Sequence, residues 1–174
     1  MGLRNFLYIF VVAMSFSAPA AAQEPVLGGE AEAEAAAPTE VWGGRCVSEA
    51  RQSSAECTMT IRAVVRNTQR VIGTATLRLP ADGAAPSLHV SLPLGVVYLE
   101  AGIGFNVDGA ATQQLELQTC DRNACYATGP VSPETLAAMQ NGQQLNIVFQ
   151  TTSKQAVTLE LSLVGFTAIY QKLK

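Results

Sequence analysis

The sequence has one histidine in 174 residues, no Gly-x-Ser-x-Gly elbow and no CxxC pair. Any hydrolytic triad would therefore have to use His89, and zinc-knuckle or thioredoxin-like spacing is missing. Charge is also sparse, at 14% of residues. From Val41 onward, ten Lys/Arg stand against nine Asp/Glu. This near-neutral balance lacks the concentrated basic face that nucleic acid requires, and it gives no attraction to an anionic membrane surface. The longest apolar run, Phe6 to Phe16, covers 11 residues before Ser17 and Pro19 interrupt it. A membrane-spanning helix needs about 18 or more.

That run, preceded by Arg4 and followed by Ala20-Ala21-Ala22, has the three parts of a secretory signal, with cleavage expected before Gln23. The chain is thus expected to be exported without a transmembrane segment in its mature form. A lipid anchor is not implied, since the first cysteine is Cys46. Residues 23–40 combine Gly, Pro, Ala and Glu with few large apolar side chains, a composition that cannot offset ordering entropy. They are expected to form a disordered acidic linker, carrying Glu24, Glu30, Glu32, Glu34 and Glu40 with no base among them. Residues 41–174 then make one domain.

Within that domain the apolar residues alternate with period two over short runs. Residues 41–47, 58–65 and 71–79 read as the first three strands, with Val71, Gly73, Ala75, Leu77 and Leu79 on one face of the third. Further strands are expected at 88–91, 96–101, 104–107, 114–119, 145–150, 156–163 and 166–173. Asp108-Gly109 is a hairpin signal, but the next strand starts several residues later, so a longer loop is expected there. One helix is expected after Ser132, with Pro133 in its first turn, Glu134 near its positive end and Asn141-Gly142 ending it. These elements predict an all-β, single-domain antiparallel sandwich with one short helix.

Four cysteines in an exported chain imply two disulfides. Of the three connectivities, local pairing of Cys46 with Cys57 and Cys120 with Cys125 is favoured because each pair flanks a short turn or loop. In the chain-entropy account, such short loops contribute on the order of 2–3 kcal/mol each.

Several segments together resemble the invasion-associated locus B proteins of alphaproteobacteria. They are Trp42-Gly43-Gly44-Arg45-Cys46, the break Leu92-Pro93-Leu94-Gly95-Val96 followed by Tyr98-Leu99-Glu100-Ala101-Gly102, the Cys120–Cys125 hairpin, and Ser162-Leu163-Val164-Gly165-Phe166. The resemblance covers nearly all of residues 41–174 in order. It implies an exported, disulfide-bonded β-sandwich of the bacterial envelope, in a family named for host-cell invasion by some members, and it supplies no catalytic residue.

The expected function is accordingly non-enzymatic: binding of a protein or an envelope component in the periplasm or at the cell surface, with no cofactor, metal or nucleic acid. The exposed tip of the stapled hairpin, Asp121, Arg122 and Asn123, is the candidate contact, although turn chemistry alone also accounts for Asp and Asn there. Arg62, Arg66 and Arg70 are a candidate basic strip on a wet sheet face. The rival function is an envelope hydrolase using His89, with Asp82 or Asp108 as the acid. Intact-mass analysis of protein recovered from the producing cell tests the export reading: a mature chain starting at Gln23 is expected, and retention of Met1 at full length overturns it.

Overall fold

The computed structural model describes residues 41–48, 55–65 and 67–174. The expected signal peptide and linker, most of the polar loop before Cys57, and Arg66 lie outside the described residues. Nine strands run in the order β1 (Gly43–Val47), β2 (Glu56–Val64), β3 (Val71–Leu79), β4 (Ser87–Pro93), β5 (Ile103–Val107), β6 (Gln113–Cys120), β7 (Ala124–Pro130), β8 (Gln144–Gln150) and β9 (Ala156–Ser162). Helix α1 (Pro133–Asn141) lies between β7 and β8, and α2 (Phe166–Leu173) follows β9.

Alternation decides which side chains form the core. On β2, Cys57, Met59, Ile61 and Ala63 are buried while Thr58, Thr60 and Arg62 are not; on β4, Leu88, Val90 and Leu92 are buried while Ser87, His89 and Ser91 are half-buried. One apolar face and one wet face are what an antiparallel sheet of this kind provides. The expectation of a mostly β, antiparallel chain agrees with this.

The layering differs from expectation. Instead of two separate sheets, all nine strands form one antiparallel sheet in the order β1-β2-β3-β4-β7-β6-β5-β8-β9. Strand β6 is the hinge, because its first residues pair with β5 and its later ones with β7, with a register shift between Leu117 and Thr119. The sheet curls into a half-barrel, so the inner faces of its two halves share one core. Small inward residues allow this close approach. A Cβ on Gly73 of β3 would lie 2.4 Å from Leu159 of β9 and 3.2 Å from Leu92 of β4.

There are also two helices rather than one. The first forms as expected: Ser132 Oγ accepts from the Thr135 amide at 3.1 Å, and Pro133 opens the first turn. The second replaces the strand expected at 166–173. Phe166, Ile169, Tyr170 and Leu173 are spaced i, i+3, i+4, i+7, which is the helical period, and this face packs on the core. Glycine at position 44 admits α2 against β1, since a Cβ there would come within 2.7 Å of both Ile169 and Leu173. The strand expected at 96–101 is also absent: Val97 makes a single bridge to Thr151, and Leu99–Ala101 is one 3-10 turn. At Asp108-Gly109 both residues have positive φ and the Ala110 amide bonds to Val107 O, so a tight turn forms inside the expected longer connection.

Closure of the sheet centres on Trp42, 2% exposed, which meets Phe166 edge to face with ring centroids 5.0 Å apart. Its indole Nε1 donates to Ser162 O at 2.8 Å. Replacing Trp42 by Ala removes a large core side chain and leaves a cavity, so a loss of about 3–5 kcal/mol is expected in urea denaturation. Gly73→Leu is expected to cost about 1–3 kcal/mol by overpacking against Leu159. Unchanged midpoints for both variants would contradict this account of the closure.

Candidate functional site

The outer face of β1, β2, β3, β4, β7 and β6 carries side chains that the core does not use. Residues directly opposite in neighbouring strands project to the same side, so the register assembles rows across the sheet. One row runs Gly43, Thr60, Thr76, His89, Thr128 and Glu116, so it ends on an exposed carboxylate at β6. A parallel row runs Arg62, Thr74, Ser91, Tyr126. Arg45 lies opposite Thr58 at the β1 end. The result is a wet surface of hydroxyls, with Thr60 Oγ1 and Thr76 Oγ1 3.0 Å apart.

His89 sits in the middle of this face. Its Nε2 is 3.0 Å from Ser87 Oγ and 3.4 Å from Thr128 Oγ1. Partial burial holds its pKa below the usual histidine value, the Arg78 guanidinium adds to that, and Glu56 opposes it. Neither acid expected to serve it is there. Asp82 accepts the Ala84 amide inside its own turn, and Asp108 accepts the Gln143 and Gln144 amides at the start of β8. The Ser87–His89 contact thus has no carboxylate orienting the ring, and the described residues assemble no nucleophile, base and acid set. They also contain no cluster of three His, Cys, Asp or Glu able to hold a metal ion.

The cysteines form two bridges, Cys46–Cys57 and Cys120–Cys125. Each joins directly opposed residues of neighbouring strands, β1 with β2 and β6 with β7. At the β6–β7 turn, Asp121 Oδ1 accepts the amides of Asn123 and Ala124 at 2.7 and 2.9 Å, while Oδ2 accepts the Tyr126 hydroxyl at 3.1 Å. The Ala124 and Asn123 amides hold this carboxyl below its usual pKa, and the same Asp121 contact pushes the Tyr126 hydroxyl up. Asp121 therefore builds the turn, and Arg122 and Asn123 are left exposed at its tip. The Asn123 carbonyl in turn accepts the Leu94 amide at 3.0 Å.

Of the expected basic strip, Arg62 lies on the outer face and Arg70 is exposed just before β3. Arg78 of β3 is taken by Glu56, its Nε donating to Oε1 at 2.8 Å. Sequence spacing alone does not connect Arg45 with this strip. Only the β1–β2 register reveals that it shares a face with Arg62 and the threonines.

The described residues thus define a mostly β protein in which one disulfide-stapled antiparallel sheet curls around its core, with no helix long and apolar enough to cross a membrane. Residues 42–174 match the family model of the invasion associated locus B (IalB) protein, and the chain belongs to that family. Its fold is similar to that of the crystal structure of invasion associated protein b from Bartonella henselae, with a TM-score of 0.65 at 22% identity over 76% of this chain and 89% of that one. No curated protein matches the chain. The family is not a known enzyme family, and membership together with two disulfides suggests an extracytoplasmic protein.

The His89 environment makes a measurable prediction. Its imidazole is expected to titrate with a midpoint below 6.5 in NMR, and Arg78→Ala is expected to move that midpoint upward. Because the folded pKa is depressed, the associated stability is present above the unfolded value and is lost as pH falls through the folded one. A midpoint above 6.5 would contradict the burial of the ring.

Proposed function

We propose that this chain is a non-enzymatic binding protein of the bacterial envelope, periplasmic or surface-associated, which engages a protein or another envelope component in support of envelope integrity or host-cell invasion. The observation that carries this reading is the outer sheet face: six strands hold hydroxyls and exposed arginines in fixed register without using them for packing. A wet face is ordinary for an antiparallel sheet; what supports recognition here is that this one also presents exposed arginines and Tyr126 and is stapled by a disulfide at each end. Family membership supports the envelope setting. The word "invasion" describes the Bartonella henselae protein and comes to this chain as part of the proposal.

The stapled hairpin tip is a second contact in this reading. With Asp121 committed to its turn, Arg122 is the charged group there with reach toward a partner. Crosslinking in intact cells, followed by mass spectrometry, is expected to recover a reproducible partner, with recovery reduced several-fold by Arg122→Ala. Asp121→Ala is expected to loosen the turn and act in the same direction. An unchanged partner list in both variants removes the tip from the interface. Turnover of ester, peptide or glycan substrates that is lost in His89→Ala and Ser87→Ala would replace the binding reading with a hydrolase.

A further inference from the structure

Two shallow depressions lie side by side on the outer face. The first, about 480 Å³, is floored by Thr58 and Thr60 and flanked by Arg45 and Arg62; the second, about 180 Å³, has His89 and Thr128 on its floor and Tyr126 on its wall. Thr76 lines both, so the two adjoin along one row of the sheet and are described together as a trough. From Gly43 on β1 to Thr128 on β7 it crosses four strand spacings, about 19 Å along the curved sheet. Gly43 opens the β1 end: with no side chain there, a gap is left over Thr60 between the two arginines.

The chemistry of the trough is uneven in an informative way. Of the arginines on this face, Arg78 is neutralised by Glu56, while Arg45 and Arg62 meet no acid among the described residues. Among the described residues, their end of the trough therefore carries positive charge that no acid pairs. A guanidinium presents its donors as a planar fork that matches a carboxylate. The remaining floor is made of hydroxyls and a neutral imidazole, each able to donate and accept, which suits a ligand that is itself rich in hydroxyls. Tyr126, 37% exposed, offers an aromatic wall at the other end. A long, polyhydroxylated ligand that places a carboxylate at the arginine end and neutral sugars at the far end, where Glu116 faces Thr128 and Asp121 holds Tyr126, satisfies all of these features together.

We propose that this trough binds an acidic polysaccharide chain, with Arg45 and Arg62 holding a sugar carboxylate and the threonine row with Tyr126 aligning the neighbouring sugars. The proposal rests on the binding reading above and names its ligand class. An acidic peptide could use the same arginines and pair its amides with the hydroxyls, but a row of short hydroxyls without side-chain pockets, ending on an exposed aromatic ring, matches the repeated hydroxyls and apolar ring faces of sugars more closely.

Oligogalacturonate provides carboxylated sugar chains as a probe, with neutral dextran and a Glu-rich peptide as comparisons, titrated by calorimetry into the full chain. Binding to oligogalacturonate alone is expected, and it should weaken as salt rises. Arg45→Ala with Arg62→Ala is expected to lower affinity about tenfold or more. Gly43→Phe is expected to block the trough while leaving the fold intact, because a Cβ at this position meets nothing nearer than Thr60 O at 3.9 Å. Lys154→Ala, in the turn between β8 and β9 and away from the outer face, is expected to bind as the parent does. Circular dichroism and thermal midpoints establish that each variant is folded.

Oligogalacturonate binding no stronger than dextran binding overturns the proposal, as does binding that survives both trough variants. Tighter binding of the Glu-rich peptide with the same dependence on Arg45 and Arg62 overturns the glycan assignment in favour of an acidic peptide. A partner recovered by crosslinking alongside a failed glycan titration leaves the binding reading standing and removes only this ligand. Failure of both removes both.

Discussion

Trp42 precedes the first strand, and its indole N–H donates to the carbonyl of Ser162, the last residue of the ninth. Since β1 and β9 are the two ends of the sheet order, this one side chain ties together edges that the strand ladder leaves apart. Phe166 then lies edge to face on the indole, and Tyr170 stacks on Phe166 with a centroid separation of 6.1 Å. The helix that carries both rings is thereby set across β1 at Gly44. Without that closure, a curled sheet would keep an open seam along its apolar face. The hydrogen bond satisfies the one polar atom of a nearly fully buried ring, so the closure adds apolar burial without leaving an unpaired donor.

The curl divides the side chains into two populations with different work. Inward positions combine large residues with very small ones, such as Met59 and Ile61 beside Ala63 on β2 and Leu77 beside Ala75 on β3, and the small ones let opposite walls approach. Where polar groups do enter the interior they are satisfied locally. Asn106 donates to Thr112 and accepts from Asn146 and the Gly109 amide, and no buried side-chain polar atom among the described residues lacks a partner. Stability is thus met by the inner face and its caps. The outer face is free to hold threonines, serines and arginines that add little to folding.

Much of this was legible in the sequence. The alternation in β2 and β4 and in the middle of β3 separates core from wet face, although Val71, expected on the inner face, is exposed beside the irregularity at Ala63/Val64; the Ser132-Pro133 start of α1 carries its own local physics. The second helix was missed because Phe166, Ala168 and Tyr170 fall on alternate positions as well as on a helical pattern. In an eight-residue segment, length does not separate the two periods, and packing against Trp42 and Gly44 decides for helix. The single continuous sheet was hidden for a different reason. Strand β6 pairs on both sides through different residues, which is a property of register and not of composition. The same applies to the trough: Gly43, Arg45, Thr60 and Thr76 are unremarkable apart in sequence and become neighbours only across strands.

The two disulfides acquire a common meaning from this arrangement. In the outer-face strand order, Cys46–Cys57 joins the first pair and Cys120–Cys125 joins the last. The terminal pair β1–β2 is where a sheet frays, since one strand has a neighbour on only one side, and β6 is where the sheet turns its corner. A crosslink at each place holds the trough at both rims. Arg45 is adjacent to Cys46, and Tyr126 to Cys125, so the charged end and the aromatic end each sit beside a covalent anchor. His89 lies midway between them, bonded to hydroxyls, with its pKa held below the usual histidine value by partial burial. The sulfur chemistry of this chain therefore acts through rigidity: it fixes the register of the first and last strand pairs of the outer face, β1–β2 and β6–β7, while the hydrogen-bonded ladder alone sets β3 and β4 between them.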